Sequence, residues 1–132
     1  MAEAIARELL ARRPIDEPPV TVLSAGTTAM DGEPVAAEAR IAVESLEMPF
    51  TKFRSALLSR QLIAEADAIY AMTRAHARAV LAIDPGAESK VRVLDPDGGD
   101  VPDPIGAPQA VYTQTARRIR DLIERRIQEQ SL

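Results

Sequence analysis

Two hydrophobic patterns alternate along the chain: apolar residues spaced for one face of a helix, and short uninterrupted apolar runs of strand length. Met1, Ile5 and Leu9 fall four apart, with Arg7, Glu8, Arg12 and Arg13 elsewhere, which predicts a helix over residues 1–12. Pro14, Pro18 and Pro19 end it and impose an extended linker. Val20-Thr21-Val22-Leu23 is a β-prone run closed by Ser24-Ala25-Gly26, the pattern of a strand feeding a turn. Gly32 and Pro34 frame the next helix, whose apolar face is Val35, Ala39, Ala42, Val43 and Leu46 and which ends near Met48-Pro49. Ser59 is a suitable N-cap for a short helix bearing Leu62, Ile63 and Ala66. Ala68-Ile69-Tyr70-Ala71-Met72 is nearly all apolar, as expected of a strand buried on both faces. Thr73 caps a further helix with Ala77, Val80 and Leu81, ended by Asp84-Pro85-Gly86. Val91-Arg92-Val93-Leu94 is a third strand. Residues 95–108 form a polar loop with four prolines and three glycines. A last helix spans about 108–128, with Val111, Thr115, Ile119, Ile123 and Ile127 on one stripe.

Helices alternating with short apolar strands predict the α/β class with a parallel sheet. The length of 132 residues suits one domain over 1–132. Three short strands are few for five helices, which normally cover both faces of a sheet of four or more strands.

Charge and residue types narrow the function. Sixteen basic and twenty acidic residues, mixed along the chain, give a formal net charge of −4, which argues against the basic face that nucleic acid requires. No apolar run approaches the roughly 20 residues of a membrane span. Met1-Ala2-Glu3-Ala4 lacks the basic start and apolar core of a secretory signal, so a cytoplasmic protein is expected. There is no cysteine, hence no disulfide, no thiolate metal site and no cysteine nucleophile. A single histidine, His76, excludes a histidine-rich metal cluster. No metal and no cofactor are expected. The five arginines of the last helix, Arg117, Arg118, Arg120, Arg125 and Arg126, stand among Asp121, Glu124 and Glu129, the pattern of a solvated face with i,i+4 pairs.

Four segments in order carry a family resemblance. Met1-Ala2-Glu3-Ala4 resembles the M-A-E-A that follows the phosphate loop of low-molecular-weight protein tyrosine phosphatases. Ser24-Ala25-Gly26-Thr27, followed by Gly32-Glu33-Pro34, resembles their S-A-G-T turn and the start of their second helix. Ala66-Asp67-Ala68-Ile69 through Met72-Thr73 and His76 resembles A-D-x-I…M-T-x-x-H. Asp100-Val101-Pro102-Asp103-Pro104-Ile105-Gly106 resembles the D-x-P-D-P-[FY]-G loop. The resemblance implies a three-layer α/β fold with sheet order 2-1-3-4. What the family carries before M-A-E-A, a central first strand and then C-x5-R-S-P, does not occur in this sequence. The expectation is a chain begun at an internal methionine of a longer reading frame, or a fragment of one.

The resemblance also implies the chemistry. In the family a thiolate attacks phosphorus, the loop's N–H groups and its arginine hold the phosphate oxygens, and a carboxylic acid protonates the leaving oxygen. The same carboxylate then activates the water that hydrolyses the cysteinyl-phosphate. Asp103 matches that acid, and Pro102 and Pro104 suit a loop that must aim one carboxylate. Read from residues alone, Asp-Pro is a turn former, and Asp84-Pro85 and Asp95-Pro96 recur in this chain. Met30 and Ile105 match positions that normally form aromatic walls for a phosphotyrosine ring. They can pack on a ring without stacking, which leaves a phosphoarginine-type substrate open. The expected partner is a phosphorylated protein, and nothing in the pattern specifies an oligomeric state. Without its nucleophile the chain is expected to be inactive alone. The alternative is a pseudophosphatase that acts as a binding module.

Overall fold

Apolar spacing becomes five helices and a short parallel sheet in the computed structural model, which describes residues 1–13, 17–26, 36–50 and 56–129. The order is α1 (Ala2–Ala11), α2 (Ala37–Glu44), α3 (Arg60–Glu65), β1 (Ile69–Ala71), α4 (Arg74–Ile83), β2 (Val91–Val93) and α5 (Gln109–Gln128). A 3-10 turn over Pro85–Lys90, absent from the sequence reading, joins α4 to β2. Local capping signals act as expected. Ser59 accepts from the Leu62 N–H and Thr73 from the His76 N–H, each satisfying one of a helix's first free donors.

β1 and β2 pair in parallel, with Ile69 opposite Val91, Tyr70 opposite Arg92 and Ala71 opposite Val93. Successive strand residues face opposite sides. Tyr70 and Met72 therefore pack on a cluster built from α1, α2 and α5, while Ile69 and Val91 pack on Ile63, Val80 and Ala87 under α3 and α4. Helices thus cover both faces, and the α/β class with a parallel sheet holds. The larger cluster lies against α5, where Ile5, Ala42, Val43 and Ala116 are 0% exposed. An isoleucine buried this fully contributes about 1.5–3 kcal/mol.

The expected strand over residues 20–23 does not form. Residues 18–25 have no regular structure, and the nearest bridge is the single parallel pair Gly26 with Leu57. Backbone bonds there run from Gly26 N–H to Ala56 O at 2.8 Å and from Leu58 N–H to Gly26 O at 2.9 Å. The segment is instead tied to α1. The Arg7 guanidinium donates to Val22 O (3.0 and 3.3 Å) and Ser24 Oγ to the buried Glu3 carboxylate (3.2 Å). The physical reason is that β-propensity only describes fit to a paired, half-buried surface. With no neighbouring strand among the described residues, Val20 and Leu23 remain 46% and 67% exposed. The pair β1–β2 corresponds to the adjacent 3-4 pair of the expected order 2-1-3-4.

The last helix keeps Ile119, Ile123 and Ile127 of the expected stripe on the core but replaces its first half. Tyr112, Ala116, Ile119, Leu122, Ile123 and Arg126 are buried, whereas Val111 is exposed and Thr115 returns its hydroxyl to Val111 O. Arg126 is the charged member of this face. Its Nε and Nη2 donate to Leu94 O (3.0 Å) and Val93 O (2.6 Å), and its guanidinium lies 5.2 Å from the centre of the Tyr70 ring. A charge can be buried here because it satisfies the carbonyls at the end of β2. Arg126→Leu keeps the volume and removes those donors. It is expected to cost about 1–3 kcal/mol, the scale for stranding buried acceptors, read as a lower urea midpoint at unchanged slope. An unchanged midpoint would show that Arg126 is dispensable.

Candidate active site

Asp103 stands in the loop between β2 and α5, and three features fix that loop. At its start, Asp95 is buried, accepts from the Asp97 N–H at 2.8 Å and pairs with Arg118 of α5 at 3.4 Å. Gly99 passes so close that a Cβ there would lie 2.5 Å from Asp95 Oδ2. Asp97 pairs with Arg125 of α5 at 3.2 Å. In the middle, Val101 N–H donates to Met72 O at 2.8 Å, and Asp100 Oδ1 accepts from the Arg74 N–H at 2.9 Å. At its end, Gly106 adopts φ 78°, a left-handed turn that glycine takes without strain. Gln109 then bonds Glu38 O of α2 at 3.0 Å.

Of the five arginines read as a solvated face, Arg126 is buried and departs from it, while Arg118 and Arg125 keep much of their side chains in solvent. Arg118 and Arg125 nevertheless pair with Asp95 and Asp97, 23 and 28 residues away, and Arg126 bonds carbonyls 32–33 residues away besides pairing with Glu129. Spacing within one helix carries no signal of such contacts.

Asp103 itself is exposed, and its Oδ1 accepts from the Ile105 N–H at 3.0 Å, which turns the chain between Pro102 and Gly106. Its carboxylate is felt at two nearby groups. Burial holds the Met1 α-amino group below its ordinary value, against the opposing pull of the Glu3 and Asp103 carboxylates. Burial first, then the charges of Asp103 and Glu38, push the Tyr112 hydroxyl above its ordinary value. Met1 is the N-cap residue of α1 and makes no side-chain cap bond. The first N–H groups of α1 point toward that end, the polarity that favours an anion.

Ile105 lies on the same turn and is 79% exposed, so its side chain is presented to solvent beside Asp103. Met30 lies outside the described residues, so its relation to this pair is not defined by the structure. His76 is half-buried in the first turn of α4, where its backbone N–H serves the Thr73 cap. A groove of about 310 Å³ lined by Arg7, Leu10, Arg13, Pro18, Pro19 and Val20 belongs to the opposite end of α1 and takes no part in this arrangement. Among the described residues no group of His, Asp and Glu could hold a metal ion. Among the described residues no helix is long and apolar enough to cross a membrane. Sequence reasoning missed Asp100, Tyr112, Arg74, Arg118 and Arg125, each tied to this loop through partners on other elements.

The fold and the acid-bearing loop can be set against known proteins. The sequence pattern of the family described as low molecular weight phosphotyrosine protein phosphatase matches residues 1–130. The low molecular weight protein-tyrosine-phosphatase PtpB of Staphylococcus epidermidis is 30% identical over 128 residues, which cover 95% of this chain and 85% of that protein. The YwlE arginine phosphatase from Geobacillus stearothermophilus superposes with a TM-score of 0.86 at 26% identity, over 98% of this chain and 82% of that one. A low molecular weight protein tyrosine phosphatase from T. tengcongensis gives a TM-score of 0.84 at 27% identity, over 97% and 88% of the two chains. The chain belongs to the low-molecular-weight protein-tyrosine-phosphatase family.

Proposed function

We propose that this chain is the scaffold of a protein phosphatase of the phosphotyrosine or phosphoarginine class, and that the 132-residue polypeptide is inactive alone. One observation carries both halves: the family pattern runs over residues 1–130 of a chain with no cysteine. A cysteinyl-phosphate cannot form without a thiolate. Asp103 is the general acid of the proposed site. Its exposure suits a group that must reach a substrate oxygen, and the flanking prolines limit where it can point.

Ile105 and Met30 are the proposed walls of the substrate slot. An aliphatic and a thioether side chain pack on either a phenyl ring or an arginine stem, without the stacking that would favour tyrosine. The likeness to an arginine phosphatase supports keeping phosphoarginine in the class. Phosphoprotein is the proposed partner and the cytoplasm the proposed compartment.

The test is turnover of para-nitrophenyl phosphate and of phosphoarginine by the purified chain. The expected result is no rate above the buffer blank. Turnover that survives repurification and is lost in Asp103→Asn would overturn the inactivity.

A further inference from the structure

We propose that Asp100 is a positioning residue: its carboxylate clips the acid loop to the first turn of α4, and thereby sets where Asp103 points. The proposal rests on the reading of Asp103 as the acid of the site. Four observations carry it.

Asp100 Oδ1 accepts from the backbone N–H of Arg74 at 2.9 Å, across 26 residues. Arg74 is the first residue of α4, so its N–H has no partner inside the helix. Thr73 satisfies the His76 N–H of that turn, and Asp100 takes a donor that Thr73 leaves open. A carboxylate at this place also meets the positive end of the helix dipole. One residue on, Val101 N–H donates to Met72 O at 2.8 Å, so two consecutive residues are fastened to the segment that starts α4.

The other side-chain anchors lie too far upstream to do this work. Asp95 and Asp97 hold the loop to α5, but Gly98, at φ 84°, and Gly99 intervene before Asp100. Glycine transmits little stiffness along a chain. Asp100 is therefore the last side-chain anchor before Asp103, and the segment between them ends in Pro102.

The backbone bond, not the ion pair, is the fastening. Arg74 Nε lies 3.5 Å from Asp100 Oδ1, but the two side chains are 68% and 39% exposed, and exposed pairs contribute little. The bond to the N–H is short and charge-assisted. That bond comes first among the causes that hold the Asp100 carboxyl below its ordinary value, with the charges of Arg74 and Arg78 adding to it.

Nitrogen-15 relaxation on the labelled 132-residue chain tests this without substrate or activity. In the native chain Val101, Asp103 and Ile105 should show rigid order parameters, near 0.85. Asp100→Ala should lower all three below about 0.6 while Ile63, Val80 and Ile119 keep their values. Asp100→Asn keeps an acceptor for the Arg74 N–H and should restore the native values. Arg74→Ala removes the ion pair but keeps the N–H, and should leave the loop as rigid as before. In the native chain the Arg74 amide shift should follow a titration below the ordinary aspartate range, and Asp100→Asn should abolish it. An unchanged loop in Asp100→Ala, or loosening spread equally over the core residues, would overturn the positioning role. Loosening in Arg74→Ala equal to that in Asp100→Ala would assign the fastening to the ion pair instead. None of these readings depends on whether the chain is part of a phosphatase.

Discussion

Placing an apolar strand followed by Cys-x5-Arg-Ser-Pro ahead of Met1 is expected to give the chain phosphatase activity, and Asp103→Ala in that protein is expected to slow turnover by about 100-fold or more. The geometry behind this is local. Met1 is the N-cap of α1, so a loop joined there would end on the helix N-terminus, where N–H groups and the dipole favour phosphate and thiolate alike. Asp103 is already within electrostatic reach of Met1. That carboxyl group is the candidate to protonate the leaving oxygen of a phosphate bound at the new loop. Loss of a positioned general acid removes about 100- to 10,000-fold in rate, and most for a poor leaving group. The dependence should therefore be steeper for an alkyl phosphate than for para-nitrophenyl phosphate. Equal rates with and without Asp103 would show that the acid lies elsewhere, even if the added loop restored turnover.

Signals that act within one turn of chain were legible from the sequence. Ser59 and Thr73 were readable as caps because an N-cap and its N–H partner are three residues apart, and both are made. The nearly apolar run around Ile69 was readable as a strand because its two faces meet two different clusters, although Ile69 and Tyr70 are half-buried and only Ala71 is buried. Residues 20–23 were misread as a strand for the complementary reason. Their composition fits a sheet, but a strand is completed by a neighbour, and composition does not supply one.

The candidate site divides in the same way. Asp103 and Ile105 were proposed from a motif of adjacent residues. The groups that hold them, Asp100 with Arg74, Asp95 with Arg118 and Asp97 with Arg125, are joined over 23–28 residues and leave no periodic trace. Arg126 was read as solvated because arginine usually is. It is 8% exposed because two strand-end carbonyls and the Tyr70 ring supply what water would have supplied.

The 132-residue chain by itself is expected to unfold over a broad range, with a midpoint below about 60 °C. Its helical layer does not set that limit, since α5 packs closely on α1 and α2 with several side chains at 0–2% exposure. The sheet layer is the weak part. Among the described residues it consists of two three-residue strands, and a two-stranded sheet has little stability of its own. Residues 20–25 have no regular structure and no backbone-to-backbone bond among the described residues, and Val20 and Leu23 are left to solvent. In the expected order 2-1-3-4 a further strand would lie between this segment and β1. Each facing edge would otherwise present about four or five unpaired N–H and C=O groups, at roughly 1–3 kcal/mol for any one buried without water. A domain's whole stability is about 5–15 kcal/mol, so even a few such groups would consume much of it. Open edges also invite pairing between molecules, so association should rise with concentration. Calorimetry should show a shallow transition, and hydrogen exchange should be faster at Ile69–Ala71 than in the middle of α5. Adding the strand ahead of Met1 should sharpen the transition and raise its midpoint by about 10 °C or more, which is about 3 kcal/mol in a domain of this size. A sharp, concentration-independent transition of the unextended monomer above about 60 °C would contradict this. It would favour the second reading of the chain, a pseudophosphatase that folds without a phosphate loop and uses its surface for binding.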